Sequence, residues 1–423
     1  MAIIQHMWPG YRIFKNIYAF SSGIISTPES YMFKSIKLFL FVIPIALIAC
    51  SSAESKRIKA EEEQKITDSV RLVYSHEDAD PRIDEFMKAL HSRSAFNGNV
   101  LIAKKGKIIY RNSFGWADYL HRDSLEMDSQ FELASVSKPL TATAVLMLVE
   151  EGKITLEQTV NDFFPDFPYE NVTIKQLLAH RSGLPNYVYF VDEIWKEKRK
   201  GVSNKEVMDL LAKHKPNRYN VPDARFLYNN SNYMVLAAII EVVSGQSFTV
   251  FMQENLFRPL GMKNTNVYSK VDYEKIPTGV IGHDKVWRRS VVQNFLDGPV
   301  GDKGIYSTVN DMFLFDRAMA EGRVLKKELL DSAYSSYSNP VRGVFNYGYG
   351  WRLYEKDGHT IAYHTGWWHG FKNLYIRDLK NDITIVLLSN MANGSLNRLD
   401  DLYHILEMPV IRQGAYNANG ELL

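Results

Sequence analysis

Ser135-Val136-Ser137-Lys138-Pro139-Leu140 opens a run in which Leu140, Ala144, Val145, Met147 and Leu148 recur at helical spacing, with Gly152 placed to end the helix. It is the chain's only Ser-x-x-Lys sequence. Residues three apart share a helix face, so the Lys138 amine falls within reach of the Ser135 hydroxyl. A serine hydroxyl is a weak nucleophile at neutral pH and needs an adjacent base. A lysine serves as that base where desolvation or a neighbouring cation disfavours its charged form. Lys138 leads into a strongly apolar helix, where a lysine without a task is unwelcome.

Two further short motifs follow. Tyr228-Asn229-Asn230 shares its Tyr-x-Asn pattern with Tyr110/Asn112, Tyr169/Asn171 and Tyr337/Asn339, and context selects among them. Phe226 to Tyr233 runs straight into the apolar helix beginning at Met234, and a loop at a helix entrance is well placed to face a cleft. His364-Thr365-Gly366 is the only His-x-Gly sequence and stands at the end of a predicted strand. Gly366 would let substrate approach the backbone, and the Trp367 amide could point at a developing oxyanion.

In this order, Ser-x-x-Lys, Tyr-x-Asn and His-x-Gly, the chain resembles the serine β-lactamase and penicillin-binding-protein superfamily. The likeness is to the branch holding class C β-lactamases, D,D-peptidases, D-aminopeptidases and related esterases. Asn99 to Gly115, Thr173 to Pro185, Pro259-Leu260-Gly261-Met262 and Ile305-Tyr306-Ser307-Thr308 share the resemblance, which spans about residues 82 to 408. It implies that Ser135 forms an acyl-enzyme and that Lys138 with Tyr228 does the general-base work, the division between them being open. It also implies an oxyanion hole from the Ser135 and Trp367 amides, and an Asn230 that orients Lys138 or binds the substrate amide. Class C enzymes carry lysine in place of His364, a permanent cation exchanged here for a group that titrates near 6.5. The substitution points away from β-lactam binding and towards the peptidase and esterase members.

The surrounding pattern predicts an α+β fold: an antiparallel sheet covered by N- and C-terminal helices, with a helical insertion. A helix over about 82–93 and a hairpin with strands 99–104 and 107–110 begin it. Helical patterns over Ile174 to His180 and Met234 to Val243 fill the middle. Strands return at Thr360 to His364, Lys372 to Arg377 and Ile383 to Ser389, before a last helix from about Leu396 to Met408. His180 is expected to serve packing or a turn hydrogen bond. Lys303, in Gly301-Asp302-Lys303-Gly304, is expected in solvent, and Trp367, Trp368 and His369 either line the cleft or join the core.

The 423 residues are 46% hydrophobic, enough for a large core, and carry a formal charge of only +2. No footprint for nucleic acid appears. A single cysteine, Cys50, excludes an intramolecular disulfide and a cysteine-based zinc cluster. Lys34 and Lys37 precede an apolar run from Leu38 to Ala49, which is the pattern of a secretory signal and shorter than a membrane span of ~20 residues. Leu47-Ile48-Ala49-Cys50 resembles the lipobox of bacterial lipoproteins, and Met32 reads as the initiator.

The expected organisation is an upstream extension and signal over 1–49, a flexible tether over 50–80, a hydrolase domain over 81–410 and a tail over 411–423. The expected molecule is a bacterial, envelope-located, lipid-anchored serine hydrolase without metal or organic cofactor, acting on a D-amino-acid peptide, a β-lactam or a small ester. The alternative is a non-catalytic envelope binding protein or peptidase regulator that keeps the fold. Oligomeric state is not legible in the sequence.

Overall fold

A computed structural model describes residues 72–275, 277–284, 288–338, 345–356 and 358–411. The expected signal, Cys50 and the tail beyond Ile411 lie outside them. Helix α1 (Pro81–Ser94) starts where Asp80 accepts the Arg82 amide and proline takes the first turn, and ends at Ala95, left-handed with φ 55. Strands β1 (Gly98–Lys104) and β2 (Lys107–Phe114) follow as a hairpin. Lys105 and Gly106 both take positive φ, as its two-residue turn requires.

The chain then leaves the sheet for helices. These include α2 (Ser137–Glu150), α3 (Ile174–Leu178), α4 (Tyr187–Ile194), α5 (Asn230–Ser244) and α6 (Val309–Ala320). It returns as β3 (Phe345–Tyr347), β4 (Arg352–Lys356), β5 (His359–Trp368), β6 (Phe371–Asp378) and β7 (Ile383–Ser389), and α7 (Asp400–Ile405) closes the fold. The seven strands form one sheet in the order β2-β1-β7-β6-β5-β4-β3, antiparallel throughout. The N- and C-terminal segments therefore meet at β1 and β7, the second and third of the seven strands.

Both faces are covered. Ile383, Ile385 and Leu387 of β7 pack with Ile83 and Met87 of α1 and Leu402 of α7. Val386 and Leu388, on the opposite face by strand alternation, join the helical core of α2, α5 and α6. Every residue of β7 is buried, as its unbroken apolar sequence requires.

Three expectations need correction. Tyr74 bridges Ile108 of β2, and the Ile108 amide donates to the Val73 carbonyl, so these two residues of the expected tether lie against the sheet. The last helix is broken: a 3-10 turn over Ser395–Asn397 precedes α7. Leu396, Leu399, Leu402 and Leu406 are all buried, so the apolar stripe was legible while the backbone break within it was not. His364-Thr365-Gly366 stands inside β5, which continues to Trp368, rather than at a strand end.

Candidate active site

Ser135 sits in a 3-10 turn, Ala134–Val136, that runs directly into α2. Ala134 has φ 51, a left-handed conformation that costs a non-glycine residue energy and persists only when its surroundings enforce it. The enforcement is visible. The Leu133 amide donates to the Ile305 carbonyl at 2.8 Å, and the Ala134 amide to Glu132 Oε1 at 3.1 Å. The same carboxylate oxygen accepts from the Gly304 amide at 2.9 Å. Glu132 is buried, which pushes its carboxyl up to about 7.

Lys138, one helical turn on, is fully buried. Its Nζ lies 3.0 Å from Ser135 Oγ, 2.9 Å from Asn230 Oδ1 and 2.9 Å from the Asp302 carbonyl. The last two can only accept, so they take two N–H bonds and leave the third tetrahedral direction of Nζ on Ser135. That direction carries either an N–H towards Oγ or the lone pair that receives the serine proton. The arrangement allows a proton to move between these two atoms.

Tyr228 precedes Asn229, whose side chain caps α5 by accepting the Ser231 amide. Its ring has Lys138 Nζ at 5.1 Å from the centroid and the Arg352 guanidinium at 4.8 Å. Its hydroxyl is buried and finds no hydrogen-bond partner among the described residues, a placement expected of a group that waits for a reactant.

His180 lies against the Tyr228 ring at 4.3 Å between centroids. Its Nδ1 accepts from the Asn229 amide at 3.2 Å and lies 2.8 Å from Asn232 Nδ2, so Nε2 carries the ring proton. Burial first, then the Lys138 charge, holds it well below the usual histidine range. The expectation of a packing and turn role holds, and the turn it holds is the one that presents Tyr228.

On the far side of Ser135 runs β5. Strand β4 pairs only with His359 to Tyr363, so from His364 onward the outer edge of β5 turns to the Ser135 turn instead. A Cβ on Gly366 would stand 2.2 Å from the Leu133 carbonyl oxygen. The glycine is thus required by the chain's own backbone rather than by an approaching substrate. Thr365 is half-buried and Trp367 exposed.

His364 is fully buried. Its Nδ1 lies 2.8 Å from the Thr365 carbonyl, which can only accept, so Nε2 accepts from the Tyr347 hydroxyl at 3.1 Å. Burial, then Arg352 and Lys138, hold His364 well below its ordinary range. It is neutral at pH 7. The permanent charge beside it is Arg352 on β4, a residue that no sequence motif marks.

Lys303 was expected in solvent and is buried instead, its ammonium enclosed by Tyr187, Asp302 and the Pro299 carbonyl. Trp368 donates Nε1–H to Asp297 Oδ1 at 2.6 Å and lines a cavity of about 170 Å³ with Glu132, Tyr306, His369 and Phe371. Trp367 stays outside it.

A family model described as beta-lactamase matches residues 79–408. The chain belongs to the β-lactamase family. It is similar to penicillin-binding protein 4* of Bacillus subtilis (strain 168), 34% identical over 322 residues that cover 73% of this chain and 71% of the relative. Among solved structures, the octameric penicillin-binding protein homologue from Pyrococcus abyssi superposes with a TM-score of 0.67 at 25% identity, covering 78% and 77% of the two chains. A D-amino acid amidase from Ochrobactrum anthropi SV3 shares the fold, with a TM-score of 0.63 at 21% identity over 76% of this chain and 98% of that one. This chain is a serine hydrolase of the β-lactamase family.

Proposed function

We propose that the chain hydrolyses a small D-amino-acid peptide or ester through an acyl-enzyme on Ser135. The observation that carries the reading is the three-way hold on Lys138 Nζ, which leaves one direction of the amine for Ser135 Oγ alone. In acylation the serine proton passes to Lys138, with Tyr228 completing the relay, and Oγ adds to the substrate carbonyl carbon. The backbone amides of Ser135 and Trp367 receive the oxyanion, a contribution of roughly 3 kcal/mol per donor in such sites. The carbonyl re-forms as the leaving group departs with a proton returned by the Lys138–Tyr228 pair, and water repeats the sequence to release the acid.

The edge of β5 from His364 to Trp368, which no strand among the described residues pairs on the side of the Ser135 turn, suits an extended substrate. Neutral His364 positions Tyr347 and Thr365, while Arg352 supplies the fixed positive charge for an anionic group. The bacterial penicillin-binding relatives support a place in the cell envelope, and the lipobox-like Leu47-Ile48-Ala49-Cys50 supports a lipid anchor there.

The test is the intact mass of the purified full chain after exposure to a fluorophosphonate and, separately, to penicillin, beside Ser135→Ala. A fluorophosphonate adduct lost in Ser135→Ala is expected. Absence of any adduct on folded protein would replace the hydrolase mechanism with the non-catalytic binding protein. A penicillin adduct that persists for hours would favour a peptide over an ester as substrate.

A further inference from the structure

The third ligand of Lys138 is a backbone carbonyl, and its position depends on a buried cluster outside the three motifs. Gly301-Asp302-Lys303-Gly304 is a four-residue crossing between two glycines at φ 102 and 90. Its ends are tied down: the Gly301 carbonyl accepts from Thr141 Oγ1 at 2.8 Å and the Gly304 amide donates to Glu132 at 2.9 Å. Gly301 also lies against α5, where an added Cβ would meet the Tyr233 carbonyl oxygen at 2.5 Å. Between the two glycines, the peptide joining Asp302 to Lys303 presents the carbonyl that Lys138 uses.

The side chains on either side of that peptide close on one atom. Tyr187 Oη of α4 lies 3.1 and 3.0 Å from the two Asp302 carboxylate oxygens, and the Lys303 ammonium donates to the same Oη. The Asp302 and Lys303 side chains are 1% and 5% exposed, and Tyr187 is fully buried. Burial and the adjoining carboxylate keep the phenol protonated. Its single proton therefore goes to Asp302 and a lone pair to Lys303.

We propose that Tyr187, Asp302 and Lys303 are positioning residues: clasped around one phenol oxygen, they hold their shared peptide so that its carbonyl stays on Lys138. The inference rests on the roles proposed above for Ser135 and Lys138. A segment between two glycines can shift as a unit once its side chains are released. When the carbonyl retreats, Nζ keeps only Asn230 as a pure acceptor, and its third direction is no longer fixed on Ser135. The loss falls on proton transfer, hence on kcat, and not on substrate binding.

The experiment measures fluorophosphonate labelling rates and ester kinetics on the full chain. Tyr187→Phe keeps the ring and removes the clasp, and Tyr189→Phe, exposed on the same helix, is the control. Tyr187→Phe is expected to lower the labelling rate and kcat about 10- to 100-fold, with KM changed less than about twofold and Tyr189→Phe matching the wild type. Asp302→Asn combined with Lys303→Met removes both buried charges together and is expected to lower kcat by a similar factor. Adding Tyr187→Phe to that pair changes kcat little more, because all three act on one peptide.

Wild-type labelling and kcat in Tyr187→Phe would overturn the clasp alone, as would a raised KM with kcat unchanged or fully multiplicative losses in the triple variant. An unlabelled wild type would overturn the Ser135 mechanism and the clasp with it. Melting temperatures measured beside the rates distinguish a folded, slow enzyme from an unfolded one. If Tyr187→Phe does not fold, the charge-removing pair decides the question.

Discussion

At the scale of the residue, the decisive exchange is a neutral histidine for a permanent cation. His364 cannot hold a substrate anion while it is buried, neutral and occupied at both ring nitrogens, and the proposed function therefore gives that duty to Arg352. With carboxylate-bearing and uncharged esters of similar size, Arg352→Gln is expected to lower kcat/KM at least tenfold for the first and less than threefold for the second. Equal losses on both would remove Arg352 from substrate binding. The kcat/KM profile is expected to show no limb near pH 6.5 arising from His364, because its proton is taken up only at more acid pH. Wild type and His364→Asn compared across pH 5.5 to 8 check this, and a limb near 6.5 present in the first and absent from the second would contradict it. Ser135, Lys138, Asn230 and His364 were legible because fixed spacing within one motif marks each. Asp302 was not, since a backbone carbonyl has no letter of its own. Lys303 read as solvated because nothing local announces Tyr187, which lies 116 positions away in the chain.

The next scale is the contact between elements, where β5 meets the Ser135 turn. Gly366→Ala would push a methyl into the Leu133 carbonyl oxygen, a backbone atom that no rotamer change can move. The turn itself is held by Glu132 and Ile305, so strand and turn must part. A cost of roughly 1–3 kcal/mol is expected, in the range for overpacking, with fluorophosphonate labelling slowed more than tenfold. A lowered melting temperature with undiminished labelling would show that the close approach serves stability only. Period-two alternation made the strands themselves legible, and the apolar run Ile383 to Leu388 marked the central one. The length of β5 was not, because its last residues, Thr365 to Trp368, are polar, small and aromatic in turn and, among the described residues, pair only with β6. Nor was the approach of β5 to the turn, which sets Gly366 against Leu133, far off in the chain, and leaves no local pattern.

Across the whole molecule, buried ionisable groups of opposite sign shape stability against pH. His180 and His364 are held below the ordinary histidine range, so as pH falls under about 6.5 the unfolded chain binds protons that the folded one refuses. Their effect is to lower stability in acid. Glu132, raised to about 7, and Asp311, raised to about 6, act oppositely: the folded chain takes up protons that the unfolded carboxylates still refuse. Their stabilisation is complete below the unfolded values and fades as pH rises to 7 and 6. The two effects oppose one another between about pH 4.5 and 6.5, flattening the acid side of the stability curve. Glu132→Gln keeps an acceptor oxygen for the Ala134 and Gly304 amides while removing one titrating group. At about 1.4 kcal/mol per pH unit, the variant is expected to lose about 3 kcal/mol relative to wild type between pH 7 and 4.5. Urea unfolding of both proteins at pH 4.5, 6 and 8 measures the difference. A constant offset across the three would mean that Glu132 has the same affinity for protons in both states, and that the turn beneath Ser135 is held by an ordinary carboxylate rather than by one that burial keeps protonated near neutrality.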